Sequence, residues 1–132
     1  VAHSGYLDAY AALVTETVVL PGVYISEKTW QSIAMGQWIF ILGCPGTIAH
    51  LKHLGVDTFD DIIDHSYDKE PDFFVRIQKL HQSMEQFLLL DHHRLWKDTA
   101  NRRLLNQKKF LSGEIDQRYL SELRQTIDEI TI

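Results

Sequence analysis

Cysteine, long apolar runs and, in one half of the chain, positive charge are all scarce in this sequence of 132 residues. The single cysteine, Cys44, excludes an internal disulfide and suits a reducing compartment, so we expect a cytoplasmic protein. No apolar run approaches the length of about 20 residues that a membrane helix needs. The first residues are of mixed character and do not have the pattern of a secretory signal. These absences predict a chain that does not associate with membranes.

Positive charge is unevenly distributed along the chain. Residues 67–132 carry eleven cations and eleven carboxylates. Residues 1–66 carry only two cations, Lys28 and Lys52, against seven carboxylates: Asp8, Glu16, Glu27, Asp57, Asp60, Asp61 and Asp64. The net charge of −5 argues against nonspecific binding to nucleic acid. An anion bound beside Lys28 would depend on few other groups.

The overall composition is that of a globular domain, with 45% hydrophobic and 23% charged residues. There is no internal repeat, low-complexity stretch or linker. We therefore predict one domain over residues 1–132, in which residues 1–70 form an α/β core and residues 71–132 form packing helices. Because the first residue is Val, we expect a fragment, a trimmed chain or a mature form.

Two short apolar segments, Ala11–Thr17 and Trp38–Leu42, have the length and composition of strands. The second is apolar throughout, as in a parallel strand covered on both faces. Between them, Ser26 is a good N-cap and Gly36 a good C-cap for a helix over residues 27–35. The pattern predicts a right-handed β-α-β crossover.

Shorter elements follow the second strand. Gly43–Gly46 is predicted to be a turn, and a helix over Thr47–Leu54 is predicted to stop at Gly55. Val56–Phe59 is either a third short strand or an extended link, Asp60–Asp64 is one helical turn, and His65–Glu70 is a polar loop. The predicted fold class is therefore α/β: a small, mainly parallel sheet of about three strands flanked by helices, with a C-terminal helical extension.

From Pro71 onward the apolar residues recur with a helical period, and Pro suits the first helical position. We predict one helix from Pro71, one over about Asp91–Leu111 and one over about Ile115–Ile130. The residues predicted to be buried on these helices are Phe73, Phe74, Ile77, Leu80, Met84, Phe87, Leu88, Leu95, Trp96, Ala100, Leu104, Phe110, Tyr119, Leu120, Leu123, Ile127 and Ile130. The surplus of apolar residues is also typical of a homodimer face.

A candidate binding site lies between the first strand and the first helix. Glu16 ends the strand, and Ser26, Glu27 and Lys28 open the helix. A helix N-terminus has unpaired N–H groups and about half a positive charge, so together with Lys28 it can hold an anionic ligand. Ligands of open α/β sheets bind at the carboxyl ends of the strands, where Glu16 and Gly43–Gly46 are expected.

These residues lie within a longer resemblance to known proteins. VTET, and then YISEKTWQSIAMGQWIFILGCPGTIAHLKHLGVDTFDDIIDHSYD, resembles the C-terminal part of glycosyltransferase-like proteins common in phage and marine metagenomic sequences. The same core is similar to the donor-binding half of α-1,3-fucosyltransferases, which has a Glu near a strand end and a Tyr-x-Thr-Glu-Lys segment opening a helix. Glu16 matches that acid and Tyr24–Lys28 matches that segment, with Ser26 in place of Thr. The resemblance covers about residues 10–68 and extends more loosely to the C-terminal helices.

The resemblance implies the Rossmann-like C-terminal half of a GT-B fold that binds a nucleotide diphosphate sugar. It implies that Lys28 contacts the diphosphate, that Glu27 bonds the ribose, and that Tyr24, Ser26 and Glu16 belong to the donor pocket. A complete GT-B enzyme has a second domain that supplies the acceptor site and usually the catalytic base. Because 132 residues leave no room for it, we assign no catalytic residue and expect a fragment, a degenerate relative or half of an assembly.

Each candidate also has a structural explanation. Ser26–Lys28 can be an N-cap followed by a solvated ion pair. His50 and His53 are spaced closely enough to share a metal, but no recognised metal spacing is present, so we expect surface histidines and no metal or cofactor. Cys44 has no nearby base in the sequence and is expected to be structural. Tyr67–Asp68 either initiates the next helix or lies at the rim of the pocket.

The alternative to donor binding is a non-enzymatic α/β domain with a structural or interaction role in a phage-like particle, in a homodimer or alone. A large apolar face without a cleft beside Lys28 would favour this alternative.

Overall fold

The computed structural model describes residues 9–16, 23 and 25–130 of the chain, apart from the side chains of Tyr119 and Leu123. Within these residues the strands and helices follow one another as β1 (Ala11–Thr15), α1 (Glu27–Ala34), β2 (Trp38–Leu42), α2 (Thr47–His53), a 3₁₀ turn (Ser66–Lys69), α3 (Phe73–Leu88), α4 (His92–Asp98), α5 (Ala100–Leu111) and α6 (Glu114–Ile130). The predicted α/β class is confirmed.

The two strands pair in parallel, with Ala11 opposite Trp38 and Thr15 opposite Leu42. Since α1 lies between them in the chain, this is the predicted β-α-β unit. The ladder continues one residue past β1, where the Glu16 N–H donates to the Leu42 carbonyl at 2.9 Å. Thr17, predicted as the last residue of the strand, lies outside the described residues.

Helix α1 ends as the sequence predicts. Gly36 has a positive φ of 69°, a conformation in which glycine avoids the steric cost of a Cβ. Its N–H donates to the Ile33 carbonyl, and the Gln37 N–H donates to the Ser32 carbonyl. These two hydrogen bonds form a Schellman motif, which pairs carbonyls that the helix end would leave free and turns the chain into β2.

The sheet of the described residues has two strands rather than the predicted three. Val56–Phe59 is not a strand but a link without regular secondary structure, and it is not extended throughout, because Phe59 has a φ of 56°. The backbone of Asp57 pairs with the buried side chain of Asn106 on α5. The Asn106 Oδ1 accepts from the Asp57 N–H at 2.9 Å, and the Asn106 Nδ2 donates to the Asp57 carbonyl at 2.8 Å. Because one side chain satisfies this backbone, no neighbouring strand is needed there.

The polar connection before α3 is more ordered than predicted. Asp60–Asp64 contains a turn closed by the Phe59 carbonyl, which accepts from the N–H groups of Ile62 and Ile63, and the predicted loop His65–Glu70 contains the 3₁₀ turn. Helix α3 does not begin at Pro71. Its N-cap is Asp72, whose side chain accepts from the Val75 N–H at 2.9 Å.

The predicted helix over residues 91–111 is two helices. Asp91 caps the first, α4, by accepting from the Arg94 N–H. Thr99, with φ −99° and ψ 8°, departs from helical geometry and separates α4 from α5. The chain therefore bends at the buried Thr99. The sequence does not predict this bend, because no Gly or Pro lies next to it.

The core surrounds the sheet and, in the part of the chain that the structure describes, includes these buried apolar residues: Val14, Ile33, Trp38, Phe40, Ile41, Ile48, Leu51, Leu54, Val56, Phe59, Ile63, Tyr67, Leu80, Phe87 and Ile115. The prediction of buried faces fails on α6, where Leu120, Ile127 and Ile130 are 61%, 53% and 77% exposed. It fails likewise for Phe73, Phe74, Leu88, Ala100 and Leu104, which are exposed. The side chains of Tyr119 and Leu123 lie outside the described part of the chain. The apolar surface of these amphipathic helices is larger than the area that one small sheet can cover.

Helix α5 attaches the C-terminal helices to the sheet region through polar side chains. The Gln107 Nε2 donates to the Ala34 carbonyl at 2.9 Å, and the Lys109 Nζ donates to the Gly55 carbonyl at 2.9 Å. Arg102 bonds the carboxylates of Asp57 and Asp61. The Gln107 and Lys109 contacts satisfy carbonyls at the ends of α1 and α2, so α5 orients both helices of the candidate site.

Candidate functional site at the carboxyl end of the sheet

Glu16 is the residue around which the candidate site is built. Its backbone extends the β1 ladder, so its side chain lies at the carboxyl end of that strand. The side chain is only 5% exposed. A carboxylate buried to this extent needs hydrogen-bond partners, because removing it from water is costly.

The Glu16 carboxylate reaches the start of α1. Its Oε1 accepts from the Ser26 N–H at 3.1 Å and from the Thr29 hydroxyl at 2.7 Å. A negative charge at a helix N-terminus is favourable, since the N–H groups there carry partial positive charge. Glu16 therefore acts as a distant N-cap for α1.

Two polar atoms at this helix start have no hydrogen-bond partner among the described residues: the Glu16 Oε2 and the Ser26 Oγ. Ser26 is at the predicted N-cap position, with extended φ and ψ, but its side chain makes no capping bond. Both residues are buried. The sequence thus identified the helix boundary correctly but not the group that caps it.

The other predicted site residues differ in position. Glu27 and Lys28 are exposed on the first turn of α1, where they face solvent rather than the Glu16 carboxylate. Tyr24 lies outside the described residues. The structure brings Glu16 and Ser26 into direct contact and adds Thr29, for which the sequence pattern gave no signal.

Gly43, the first residue after β2, allows the close approach of Glu16. A Cβ added at Gly43 would lie 3.3 Å from the Glu16 Cγ and 3.4 Å from the Thr47 Oγ1. The neighbouring Cys44 is buried, and its Sγ contacts the Pro45 carbonyl at 3.5 Å. Gly43 thus packs directly against the Glu16 side chain of the candidate site.

The second helix start at this edge is occupied by Asp68. Its Oδ1 accepts from the Ile48 N–H at 3.0 Å and its Oδ2 accepts from the Ala49 N–H at 3.1 Å. Its own carbonyl accepts from the Gly46 N–H. Asp68 therefore holds α2 and the Gly43–Gly46 turn, whereas the initiation of α3 that the sequence suggested for it belongs to Asp72.

A buried chain of hydrogen bonds supports β2 from its other edge. The Ile41 N–H donates to the Tyr67 hydroxyl at 3.2 Å, and that hydroxyl lies 3.1 Å from the His65 Nδ1. The His65 Nε2 lies 2.8 Å from the Thr58 carbonyl. Since a carbonyl only accepts, Nε2 carries the proton and Nδ1 accepts from Tyr67.

Burial determines the charge states of the His65 and Tyr67 side chains. It lowers the pKa of His65 below its ordinary value, against the opposing effects of the Thr58 carbonyl and the Asp60 and Asp68 charges. It raises the pKa of the Tyr67 hydroxyl well above its ordinary range. Both groups are therefore neutral and hydrogen-bonded near neutral pH.

Two clefts lie against the helices that begin at this edge. One, of about 230 Å³, is lined by Ile48, Ala49, Lys52, Asp60, Ile63, Asp64, His65, Ser66, Asp68 and Lys69. The other, of about 270 Å³, is lined by Val23, Ile25, Trp30, His50, Leu54, Ile115 and Asp116. Neither lining includes Glu16 or Lys28.

The two histidines of α2 have different surroundings, since His50 lines the cleft of about 270 Å³ and His53 lies beside Glu122. The rings of His50 and His53 are 6.4 Å apart, and the His53 Nε2 lies 2.5 Å from the Glu122 Oε1. No group of three or more His, Cys, Asp or Glu side chains among the described residues is arranged to hold a metal. The described residues also form no helix with the length and apolar character needed to cross a bilayer.

The fold and the site together define a class: an α/β protein with a parallel β-α-β unit and a buried acid at the carboxyl end of its first strand. Comparison with protein families, curated proteins and solved structures finds no significant match to this chain.

Proposed function

We propose that this chain is the nucleotide-sugar-binding portion of a glycosyltransferase-like protein. The observation that carries the proposal is the Glu16 carboxylate. It is buried at the carboxyl end of β1, with Oε1 bonded to the start of α1 and Oε2 without a partner among the described residues.

An unpaired buried acceptor is a feature that a ligand can complete. Leaving such an oxygen unsatisfied costs about 1–3 kcal/mol, and more for a charged group. Ribose and sugar hydroxyls donate hydrogen bonds, and a carboxylate accepts them strongly. The Oε2 is nearly covered, so a ligand hydroxyl reaches it only when a neighbouring group moves aside.

The geometry also supports different proposed roles for the charged residues Glu16 and Lys28. Glu16 takes the Ser26 N–H and places negative charge at that point, which disfavours a phosphate in the same position. The exposed first turn carries Lys28 next to the acidic Glu27 and has further N–H groups, so we assign the diphosphate to Lys28 and these N–H groups. In an intact enzyme, Lys28 would stabilise the charge that develops on the leaving diphosphate.

Thermal unfolding with a panel of nucleotide diphosphate sugars tests the proposal, because a ligand that binds only the folded chain raises its Tm. We expect stabilisation by at least one donor at millimolar concentration. Lys28→Ala should lower that affinity by about tenfold, the effect of losing one charged hydrogen bond. Lys108→Ala, which removes an exposed lysine from α5, serves as the control. A panel without any stabilising donor, or equal effects of the two variants, would contradict the proposal.

A second candidate function is that of an interaction domain. The exposed apolar side chains of α6, Leu120, Ile127 and Ile130, favour it, because a contiguous apolar face on a small domain marks a contact surface. The two clefts at the carboxyl edge of the sheet also lack Lys28 in their linings, so among the described residues the combination expected of this alternative, an apolar face without a cleft beside Lys28, is present.

A further inference from the structure

Thr29 is a buried hydroxyl residue whose environment suggests more than packing. It occupies the first turn of α1, is 0% exposed, and donates its hydroxyl proton to the Glu16 Oε1 at 2.7 Å. The Ser26 N–H donates to the same oxygen at 3.1 Å. Both donors therefore fix one carboxylate oxygen.

This arrangement determines which oxygen of Glu16 remains unpaired. A carboxylate can rotate about its last side-chain bond, and its two oxygens are chemically equivalent until their partners differ. With both donors on Oε1, rotation would break two hydrogen bonds. The lone pairs of Oε2 are consequently held in one direction.

The backbone of Gly43 confines the carboxylate further. A Cβ at that position would lie 3.3 Å from the Glu16 Cγ and 3.4 Å from its Cβ, so the glutamate side chain packs directly on the chain that follows β2. Thr29 on one side and Gly43 on the other leave Glu16 little freedom to change rotamer.

We propose that Thr29 is a positioning residue that commits the Glu16 Oε2 to a hydroxyl of the ligand, so that the site selects a hydroxylated ligand over its deoxy analogue. This inference rests on the proposed function. A site built around a buried acceptor discriminates strongly against an analogue that lacks the donor, because the acceptor is then left desolvated and unpaired.

The test compares the wild-type chain with Thr29→Val and Thr29→Ser. Val preserves the size of Thr but removes its hydroxyl, and Ser retains the hydroxyl. Affinities are measured by calorimetry for uridine and guanosine diphosphates and their deoxyribose counterparts, and for UDP-glucose and UDP-deoxyglucose. The first pairs report a ribose hydroxyl, and the last pair reports a hydroxyl of the transferred sugar.

We expect the wild-type chain and Thr29→Ser to prefer the hydroxylated member of one pair by about tenfold, as one hydrogen bond to a charged group predicts. In Thr29→Val the preference should disappear. A purely structural role of Thr29 would weaken both members equally and leave their ratio unchanged, which would overturn the inference.

The positioning step is also tested without ligand, which separates it from the proposed function. Amide hydrogen exchange at Ser26, whose N–H donates to Glu16, should accelerate in Thr29→Val but not in Thr29→Ser. Unchanged exchange in Thr29→Val would show that Glu16 keeps its place without Thr29 and would overturn the inference. Absence of binding by the wild-type chain would instead overturn the proposed function.

Discussion

Individual residues of this protein carry structural tasks that their sequence neighbourhood does not reveal. Asn106 lies on a helix yet pairs with the backbone of Asp57 as a strand would. Glu16 lies beyond a strand yet caps a helix ten residues later. In both cases a single polar side chain satisfies backbone groups that are remote along the chain.

Replacement of Asn106 by Ala should therefore destabilise the fold. It leaves the N–H and the carbonyl of Asp57 without their partner, and an unsatisfied buried group costs about 1–3 kcal/mol. Urea unfolding measures the change. Asn101→Ala, at an exposed position of the same helix, is the matched control and should be close to neutral. Equal losses for both variants would show that helix propensity, rather than the link, determines the effect.

Replacement of Gly43 by Ala tests the close approach at the site. The new Cβ would press on the Glu16 Cγ, whose carboxylate is anchored and cannot retreat, so we expect a loss of about 1–3 kcal/mol from overpacking. Amide exchange at Ser26 should also accelerate. Gly46→Ala has no neighbour within 4 Å but a φ of 89°, and its cost is backbone strain alone. If Gly46→Ala disturbed Ser26 as strongly, the steric explanation would be wrong.

At the scale of elements, two carboxylates occupy the helix starts that parallel strands present at one edge. Glu16 serves α1 and Asp68 serves α2. The second of these helices is short, and its N-cap position is Gly46, which has no side chain to cap it. The stability of α2 therefore depends on a residue that follows it by fifteen positions or more in the chain.

A graded series at Asp68 tests this dependence. Asp68→Ala removes both acceptors and should cost about 1–2 kcal/mol, the usual effect of losing a cap. Asp68→Asn keeps one acceptor without the charge, so its stability should lie between those of the wild-type chain and Asp68→Ala. Amide exchange at Ile48 and Ala49 locates the loss. Faster exchange elsewhere, with these two amides still protected, would contradict the assignment.

The buried His65–Tyr67 chain predicts a pH dependence of stability. The pKa of His65 is lowered in the folded state by burial, so the unfolded chain binds a proton at a higher pH than the folded chain does. The contribution of His65 to the free energy of unfolding should therefore be fully present above the ordinary histidine pKa of 6.5 and should fall as the pH decreases from there towards the lower folded-state pKa.

Urea unfolding across this pH window provides the measurement, with His65→Gln and His81→Gln compared. His81 is exposed on α3. The decline should persist in His81→Gln and become shallower in His65→Gln. An unchanged slope in His65→Gln would assign the pH dependence to other groups.

At the scale of the whole molecule, the β-α-β unit is small relative to the helices that surround it. The core covers one apolar face of α3 and the start of α6, and the remaining apolar side chains of α6 lie at the surface. Burial of apolar area contributes about 25 cal/mol per Å², so an exposed apolar helix face favours association.

Sedimentation equilibrium tests for a homodimer through this face. We expect reversible self-association at micromolar concentration, and Ile127→Glu together with Ile130→Glu should abolish it by placing charge on the contact surface. Gln125→Glu, at an exposed position of the same helix, should have little effect. A wild-type chain that remains monomeric would exclude this homodimer.

Local patterns in the sequence determined several features correctly: the two strands, helix α1 with its glycine stop, helix α2 and the helical C-terminal half. These follow from apolar periodicity, strand composition and the conformation that glycine permits, which are properties of short segments. The same patterns identified Glu16 and Ser26 as neighbours of one helix start.

Only the tertiary structure decided what those residues contact. It assigned the cap of α1 to Glu16 and the cap of α2 to Asp68, added Thr29, replaced a third strand by the Asn106 side chain, and left α6 partly uncovered. The physical reason is the same in each case. Backbone polarity and apolar area must be satisfied by partners, and which partners lie within reach depends on how distant segments pack.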